Sequence, residues 1–368
     1  MIKYRFSRKV NQEFSKTLKN RVNSYFRDQE IPRNANREMY LKTATIFTVY
    51  FATFALILSG LITNLLVLFL LWGFMGVGIT IIGCSIMHDS LHGSYAPKRI
   101  GTFIADLPAN ILGVSATIWK IQHNVLHHTY TNIEGADADI EHRVVLRFSP
   151  YQPLRWFHRY QHIYAIVFYS ISTLLWVVRK DYVKPFEYKK MGLIKSGKEF
   201  RNLYFRILAW KALYFAFYIV LPTLVMPVPF WMVILMFCAM HVAAGIFMTL
   251  IFQSAHVVPD AEFHLPEEQM IEENFSVHQL HTTANFATQN RTLTWLIGGL
   301  NYQVEHHLFP NICHVHYPKV SKIIRETTKE YNMPYHHQRT FLVAIINHFK
   351  MLKKLGRMQA TQPVSLAV

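Results

Sequence analysis

From Ala44 to Thr63 the chain carries no formal charge, and after Asn64 a second apolar block runs from Leu65 to Met87. Each reaches the roughly 20 residues that cross the hydrocarbon core of a bilayer as a helix. In lipid a segment must satisfy its own backbone hydrogen bonds, so blocks of this kind restrict the fold to spanning helices. A second pair follows: Leu208 to Met226, with Lys211 as its lone charge, then Phe230 to Phe252, separated by the turn signal Pro227-Val228-Pro229. The expectation is an all-α integral membrane protein with four transmembrane helices in two hairpins, at about 44–63, 65–87, 208–226 and 230–252.

Because each pair closes through a short link, the N-terminal segment, the region 88–207 and everything after 252 must emerge on one side. No Lys or Arg lies between Lys42 and Lys98, so nearly all of the 38 basic residues fall in those three segments. The positive-inside rule assigns that side, with both termini, to the cytoplasm. The division expected is a basic amphipathic segment over 1–43, a membrane domain over 44–335 with a cytoplasmic helical cap, and a cytoplasmic tail over 336–368. Phe6, Phe14, Leu18, Val22 and Phe26 recur at helical intervals in the first segment, which reads as a helix lying on the membrane. The net charge of +16 flanks the spans, where anionic head groups are the ready partner, and no nucleic-acid recognition motif accompanies it. Cys84, Cys238 and Cys313 are odd in number and widely spaced, which suggests neither disulfides nor a zinc ribbon. No apolar core with a cleavage site marks a removable signal peptide near the start. Phe103 to Ile118 and Tyr164 to Val178 are apolar but short, and read as interfacial or re-entrant pieces, with a six-span arrangement as the alternative. Asp260, Glu262, Glu267, Glu268, Glu272 and Glu273 form an acidic stretch with no Lys or Arg before Arg291, read as a solvated cap or a docking face.

Three histidine clusters border the spans: HDSLH at 88–92, HNVLHH at 123–128 and QVEHH at 303–307. On a helix, spacings of three and four residues carry imidazoles to one face, roughly 5–6 Å apart, close enough to share a metal. His88 and His92 form one such pair and His123 and His127 another, with His128 free to reach round to a second metal. In the third cluster His306 and His307 follow Gln303, whose amide is either a weak ligand or a group behind the ligands. His256 stands just past the fourth span, as His88 does past the second, and joins the set. His241 lies fifteen residues earlier on the same helix, roughly 22 Å away by helical rise, and reads as a hydrogen-bonded interior histidine. Imidazole suits zinc, copper, iron and nickel alike, but a catalytic zinc generally takes three protein ligands, whereas eight histidines imply two metals. Two irons can split dioxygen and remove hydrogen from an unactivated C–H bond. The chain has no GxGxxG, P-loop or serine elbow, so nicotinamide, nucleotide and acyl-serine chemistry lack support.

The pattern HxxxH, HxxxHH and a last box ending in HH, interleaved with two hairpins, resembles the membrane fatty-acid desaturases over roughly residues 40–335. Gln303 within YQVEHHLFP is similar to the front-end branch, which inserts a double bond between an existing one and the carboxyl end. HHTYTNIEGADADIE and HQLHTTANFA resemble bacterial acyl-CoA or acyl-lipid members. The resemblance implies that His88, His92, His123, His127, His128, His256, His306 and His307 hold two irons, with O2 as co-substrate. Gln303, His281, Asn285, Asp89, Asp137 and Asp139 are implied as further ligands or as groups that orient the ligands, helix caps and turns around GADAD being the other reading of the acids. The chain has no HPGG of a fused cytochrome b5, which implies an external electron donor, a ferredoxin or cytochrome b5 with its reductase. The alternatives are a lipid hydroxylase at the same centre, a zinc membrane hydrolase and a metal transporter. Against transport, the histidines gather at one surface and not at mid-bilayer.

Overall fold

The computed structural model describes residues 4–96, 102–141, 144–265 and 270–360, without the side chains of 102–104. Glu267 and Glu268 of the acidic stretch and residues 361–368 of the tail lie outside the described residues. The chain divides into two units. One comprises Met1–Asn34, Gln122–Ala165 and Leu250–Val368, and the other Ala35–Ile121 and Ile166–Thr249.

Four helices are long and apolar enough to cross a membrane: Arg37–Leu58, Leu65–His92, Lys198–Val225 and Phe230–His256. Trp156–Ser170 and Ser172–Lys190 form a pair bent by 53°, a broken span or a re-entrant loop, so the described residues offer four or five crossings and not six. Phe103 to Ile118 contributes only the helix Thr102–Ile111 and a start at Ala116, both too short to span. The helices overrun the apolar blocks because local signals, not hydropathy, end them. Asn36 caps the first by accepting from the Met39 N–H at 3.0 Å. The second continues past Met87 until Gly93, whose φ of 73° ends it in the left-handed region.

Within the membrane-length unit, close approach depends on small residues. A Cβ on Gly76 would collide with the Met240 carbonyl, so that crossing requires glycine. Thr80 donates to the Ala244 carbonyl at 3.2 Å, and the hydroxyls of Tyr50 and Tyr218 meet at 2.8 Å. Phe54 packs edge-on against the buried Trp72 at 6.2 Å. The one charge in the third apolar block is paired: Lys211 Nζ lies 2.8 Å from Asp181, and both are buried. His241 is an interior histidine as expected, held by Tyr214 at 3.0 Å and Thr173 at 3.1 Å.

The other unit is built around the helix Gln12–Asp28. Its apolar stripe of Phe14, Leu18, Val22 and Phe26 packs with Val277, Leu280, Val304, Val320 and Ile324. This corrects the expectation of a helix lying on the membrane. The stripe covers the interior of the histidine-bearing unit, where burial of each such side chain contributes roughly 1.5–3 kcal/mol. Short parallel pairings tie distant segments to it: Arg5–Phe6 with Met270–Ile271, and Asn285–Phe286 with His337–Gln338.

Candidate metal centre

The second cluster is not α-helical. Ile121–His127 is a π-helical turn, and the His128 N–H bonds the His123 carbonyl five residues back at 2.9 Å. Such turns are rare and recur at functional sites. The wider turn alters the expected geometry: His123 and His127 still stack, with centroids 5.2 Å apart, but His128 Nε2 comes within 3.2 Å of His123 Nε2. The third cluster rides on the helix Gln303–Leu308. Asn285 fixes that helix, accepting from the Val304 N–H at 2.9 Å and donating to Glu305 at 2.8 Å. The Tyr335 hydroxyl donates to the other Glu305 oxygen at 2.8 Å. Burial pushes the Glu305 carboxyl up in pKa, and these two donors oppose the shift.

Six histidines of this unit, His123, His127, His128, His256, His306 and His307, are each at most 5% exposed. The partners of their ring nitrogens decide what they can do. His127 Nδ1 faces the Asp137 carboxylate at 3.0 Å, His256 Nδ1 faces the Thr282 carbonyl at 3.4 Å, and His307 Nδ1 faces the Gln279 amide oxygen at 2.9 Å. All three partners only accept, so Nδ1 donates in each ring and Nε2 is the nitrogen left for a metal. The three rings form a near-equilateral triangle with centroids 4.7, 4.8 and 5.0 Å apart, and a ligand nitrogen from each lies within 4.8 Å of the others. His127 Nε2 and His256 Nε2 are buried with no hydrogen-bond partner among the described residues. A buried nitrogen left so costs about 1–3 kcal/mol, and a metal would satisfy it. His128, His306 and His307 form a second group within the same limit. The residues present therefore fit a multi-imidazole metal site.

With that geometry in place, comparison with known proteins is decisive. The Fatty acid desaturase family model matches residues 64–339. The chain belongs to the fatty acid desaturase family. An sn-1 linoleoyl-lipid 6-desaturase of Arthrospira platensis is 34% identical over 344 residues, covering 93% of this chain and 92% of that one. An acyl-lipid (8-3)-desaturase of Physcomitrium patens is 36% identical, over 94% of this chain and 72% of its own. A second sn-1 linoleoyl-lipid 6-desaturase, from Synechocystis sp., is 32% identical over 94% of this chain and 96% of its own. The protein is an oxidoreductase that desaturates fatty acyl chains, and neither the hydroxylase, hydrolase nor transporter reading is favoured.

The desaturase sets two carboxylates beside the triangle, Asp137 and Asp139, both singled out in the sequence. Asp137 accepts from the backbone N–H groups of Asn132 and Asp139, both at 2.8 Å, as well as from His127. Asp139 stands 3.5 Å from His127 and 3.8 Å from His123, and Gln122 holds it at 2.6 Å. Burial alone would push the His127 imidazole down, but the carboxylates of Asp137 and Asp139 outweigh it and hold it at about 9. The field there favours a cation, whether proton or metal. GADAD is thus a carboxylate support for the second cluster and not only a turn. Gln303 is 1% exposed, and its amide oxygen and nitrogen are both buried without a partner among the described residues.

His88 and His92, with Asp89, belong to the other unit. Their rings lie 4.6 Å apart, and each meets the Trp119 ring edge-on, at 5.7 and 5.5 Å. Asp89 is buried, and its carbonyl accepts from the Ser94 N–H at 2.9 Å. His281 is partly exposed and its Nδ1 is bound to Glu262 at 2.8 Å, a surface pairing. Asn285 acts through the helix of the third cluster, as described. Sequence reasoning missed Gln279, Thr131, Tyr317, Glu305 and Tyr335. Thr131 lies 3.2 Å from His307 Nδ1, and the Tyr317 hydroxyl 3.1 Å from His306 Nδ1. Gln279 and Asn285 share the segment HQLHTTANFA, whose run of polar residues was the one available signal.

Proposed function

We propose that this desaturase is a front-end enzyme acting on acyl chains esterified in membrane lipid, placing a cis double bond on the carboxyl side of an existing one. The relatives named for linoleoyl-lipid and acyl-lipid substrates support the carrier, and their bond positions, 6 and Delta(5), support the front-end class. Gln303 heading the third cluster supports it too. The proposed metal site is a pair of irons held by His88, His92, His123, His127, His128, His256, His306 and His307, within a membrane domain spanning 44–335. The observation that carries it is the triangle of His127, His256 and His307, each with Nδ1 tied to an acceptor and Nε2 offered inward.

When bound, the irons supply dioxygen activation and removal of two hydrogens from adjacent methylenes, with two electrons and two protons from outside completing reduction to water. The protein's own residues do the rest. Asp137, the Thr282 carbonyl and Gln279 fix the tautomers of three ligands, and Tyr317 orients His306. Near-complete burial of the six histidines keeps bulk water from the reacting carbons. Gln303 presents a buried amide with no hydrogen-bond partner among the described residues, suited to a bound water or a metal. The spans form two hairpins, and the basic flanks set both termini and the site on the cytoplasmic side. That basic face suits an acidic ferredoxin or a cytochrome b5 as electron donor, with charge favouring encounter.

The test is mass spectrometry of acyl chains from cells expressing the protein with a matching reductase system and supplied with linoleate. A product two mass units lighter, with its new bond on the carboxyl side, is expected. A product gaining oxygen, or a new bond on the methyl side, refutes the reading.

A further inference from the structure

The unit of membrane-length helices contains a cavity of about 240 Å³ whose wall includes Asn110, Gly113, Ser115, Arg206, Trp210 and Lys211. Its charges do not cancel. Lys211 on its lining is neutralised by Asp181, which also accepts from the Ser115 N–H at 2.9 Å and from Trp176 at 3.1 Å. Asp106, also on the lining, is paired with Lys120 at 2.6 Å. Arg206 is left over. It is exposed, its guanidinium makes one hydrogen bond, to Thr117 at 3.3 Å, and no carboxylate lies within ion-pair distance among the described residues. Among the described residues the cavity lining therefore carries one guanidinium, that of Arg206, with no carboxylate partner.

The floor is shaped and held. Gly113 has a φ of +71°, and a Cβ there would meet the Tyr214 ring at 2.8 Å, so a larger residue would displace that wall. Lys211 Nζ grips the Gly113 carbonyl at 2.5 Å. From Ala116, on the lining, the helix runs three residues to Trp119, the ring that meets both His88 and His92. Trp119, the aromatic neighbour of the first histidine pair, thus stands about one helical turn, roughly 5 Å of rise, from the Ala116 of the cavity lining.

On the front-end reading the new bond lies between an existing one and the carboxyl end, so the carboxyl end of the substrate must lie near the metal. Five or six carbons of acyl chain reach less than two turns of helix. We propose that this cavity receives the phosphoryl group of the acyl carrier, paired with the Arg206 guanidinium, and that this anchor helps set which methylenes react. A guanidinium matches phosphate oxygens in a fork geometry that an ammonium cannot reproduce. The inference rests on the front-end acyl-lipid reading. The rival role for Arg206, a side chain reaching up to the membrane surface, would be indifferent to the carrier's phosphate.

The experiment uses the full chain in vesicles with its reductase system, and linoleoyl chains presented on phosphatidylglycerol, on an uncharged galactosyl lipid and on coenzyme A. Arg206→Gln is expected to raise KM about tenfold or more for a phosphoryl-bearing carrier, with a smaller change in kcat. Arg206→Lys should recover part of that loss. Arg201→Gln, on the same helix outside the cavity, should leave KM alone. The effect on phosphatidylglycerol would identify a lipid phosphate, and on the thioester a nucleotide carrier; either supports the proposal. An equal rise on the galactosyl lipid, or none on any carrier, overturns it. If the wild type desaturates none of the three, the functional reading fails separately. Retention of phosphatidylglycerol in native mass spectrometry then decides the cavity: loss of the lipid in Arg206→Gln supports it, and equal retention overturns it.

Discussion

Replacing Asp137 by Asn tests how far the second cluster depends on what stands behind it. The carboxylate serves three donors, His127 Nδ1 at 3.0 Å and the N–H groups of Asn132 and Asp139 at 2.8 Å each. Asparagine keeps the shape but turns one oxygen into an NH2 group, so at least one of those donors faces another donor. A buried donor left this way costs about 1–3 kcal/mol. Loss of the carboxylate behind a ligating imidazole ordinarily lowers metal affinity about 10–100-fold, a similar energy. The assay is iron per chain after equilibration with graded chelator, alongside the thermal melt of the metal-free protein. The expected result is a 10–100-fold shift in the chelator midpoint and a lowered melt, with Asp260→Asn, at an exposed acid, as the control. If Asp137→Asn holds iron as tightly as the wild type while folded, Asp137 does not act through His127 and the tautomer argument fails.

Lys211→Met should destabilise the protein by about 3–5 kcal/mol, because it strands the buried Asp181 carboxylate, and Lys211→Met with Asp181→Leu should recover most of the loss. Melting in detergent checks this, and equal damage in single and double variants would refute it. Burial holds the His348 imidazole at about 4, below its ordinary 6.5, with Nδ1 on the Val257 carbonyl at 2.9 Å. A depressed histidine leaves the unfolded chain binding more protons, so stability is full above about 6.5 and falls toward pH 4, by roughly 3 kcal/mol for this group. His348→Asn should flatten that acid limb in melts across pH, and an unaltered limb would show that other groups produce it.

The sequence by itself determined the membrane class and the histidine clusters on which the proposed metal chemistry rests. Charge-free blocks such as Leu65 to Met87 leave a backbone no stable form in lipid but the helix, and clustered imidazoles have few uses besides binding metal. Helix ends were less legible, since Asn36 and Gly93 act through backbone geometry that hydropathy does not register. His128 was assigned its position from an α-helical period, and the π-helical turn moved it against His123. The role of Phe14, Leu18, Val22 and Phe26 was also decided in three dimensions, because an amphipathic stripe does not reveal whether lipid or protein will cover it. So were Gln279, Tyr317 and the Thr282 carbonyl. Each touches a histidine through a contact between segments 11 to 28 residues apart, and no local spacing encodes which acceptor will meet which Nδ1. The histidines were written in the chain, but the orientation of the His127, His256 and His307 rings arose only once packing brought an acceptor to each Nδ1.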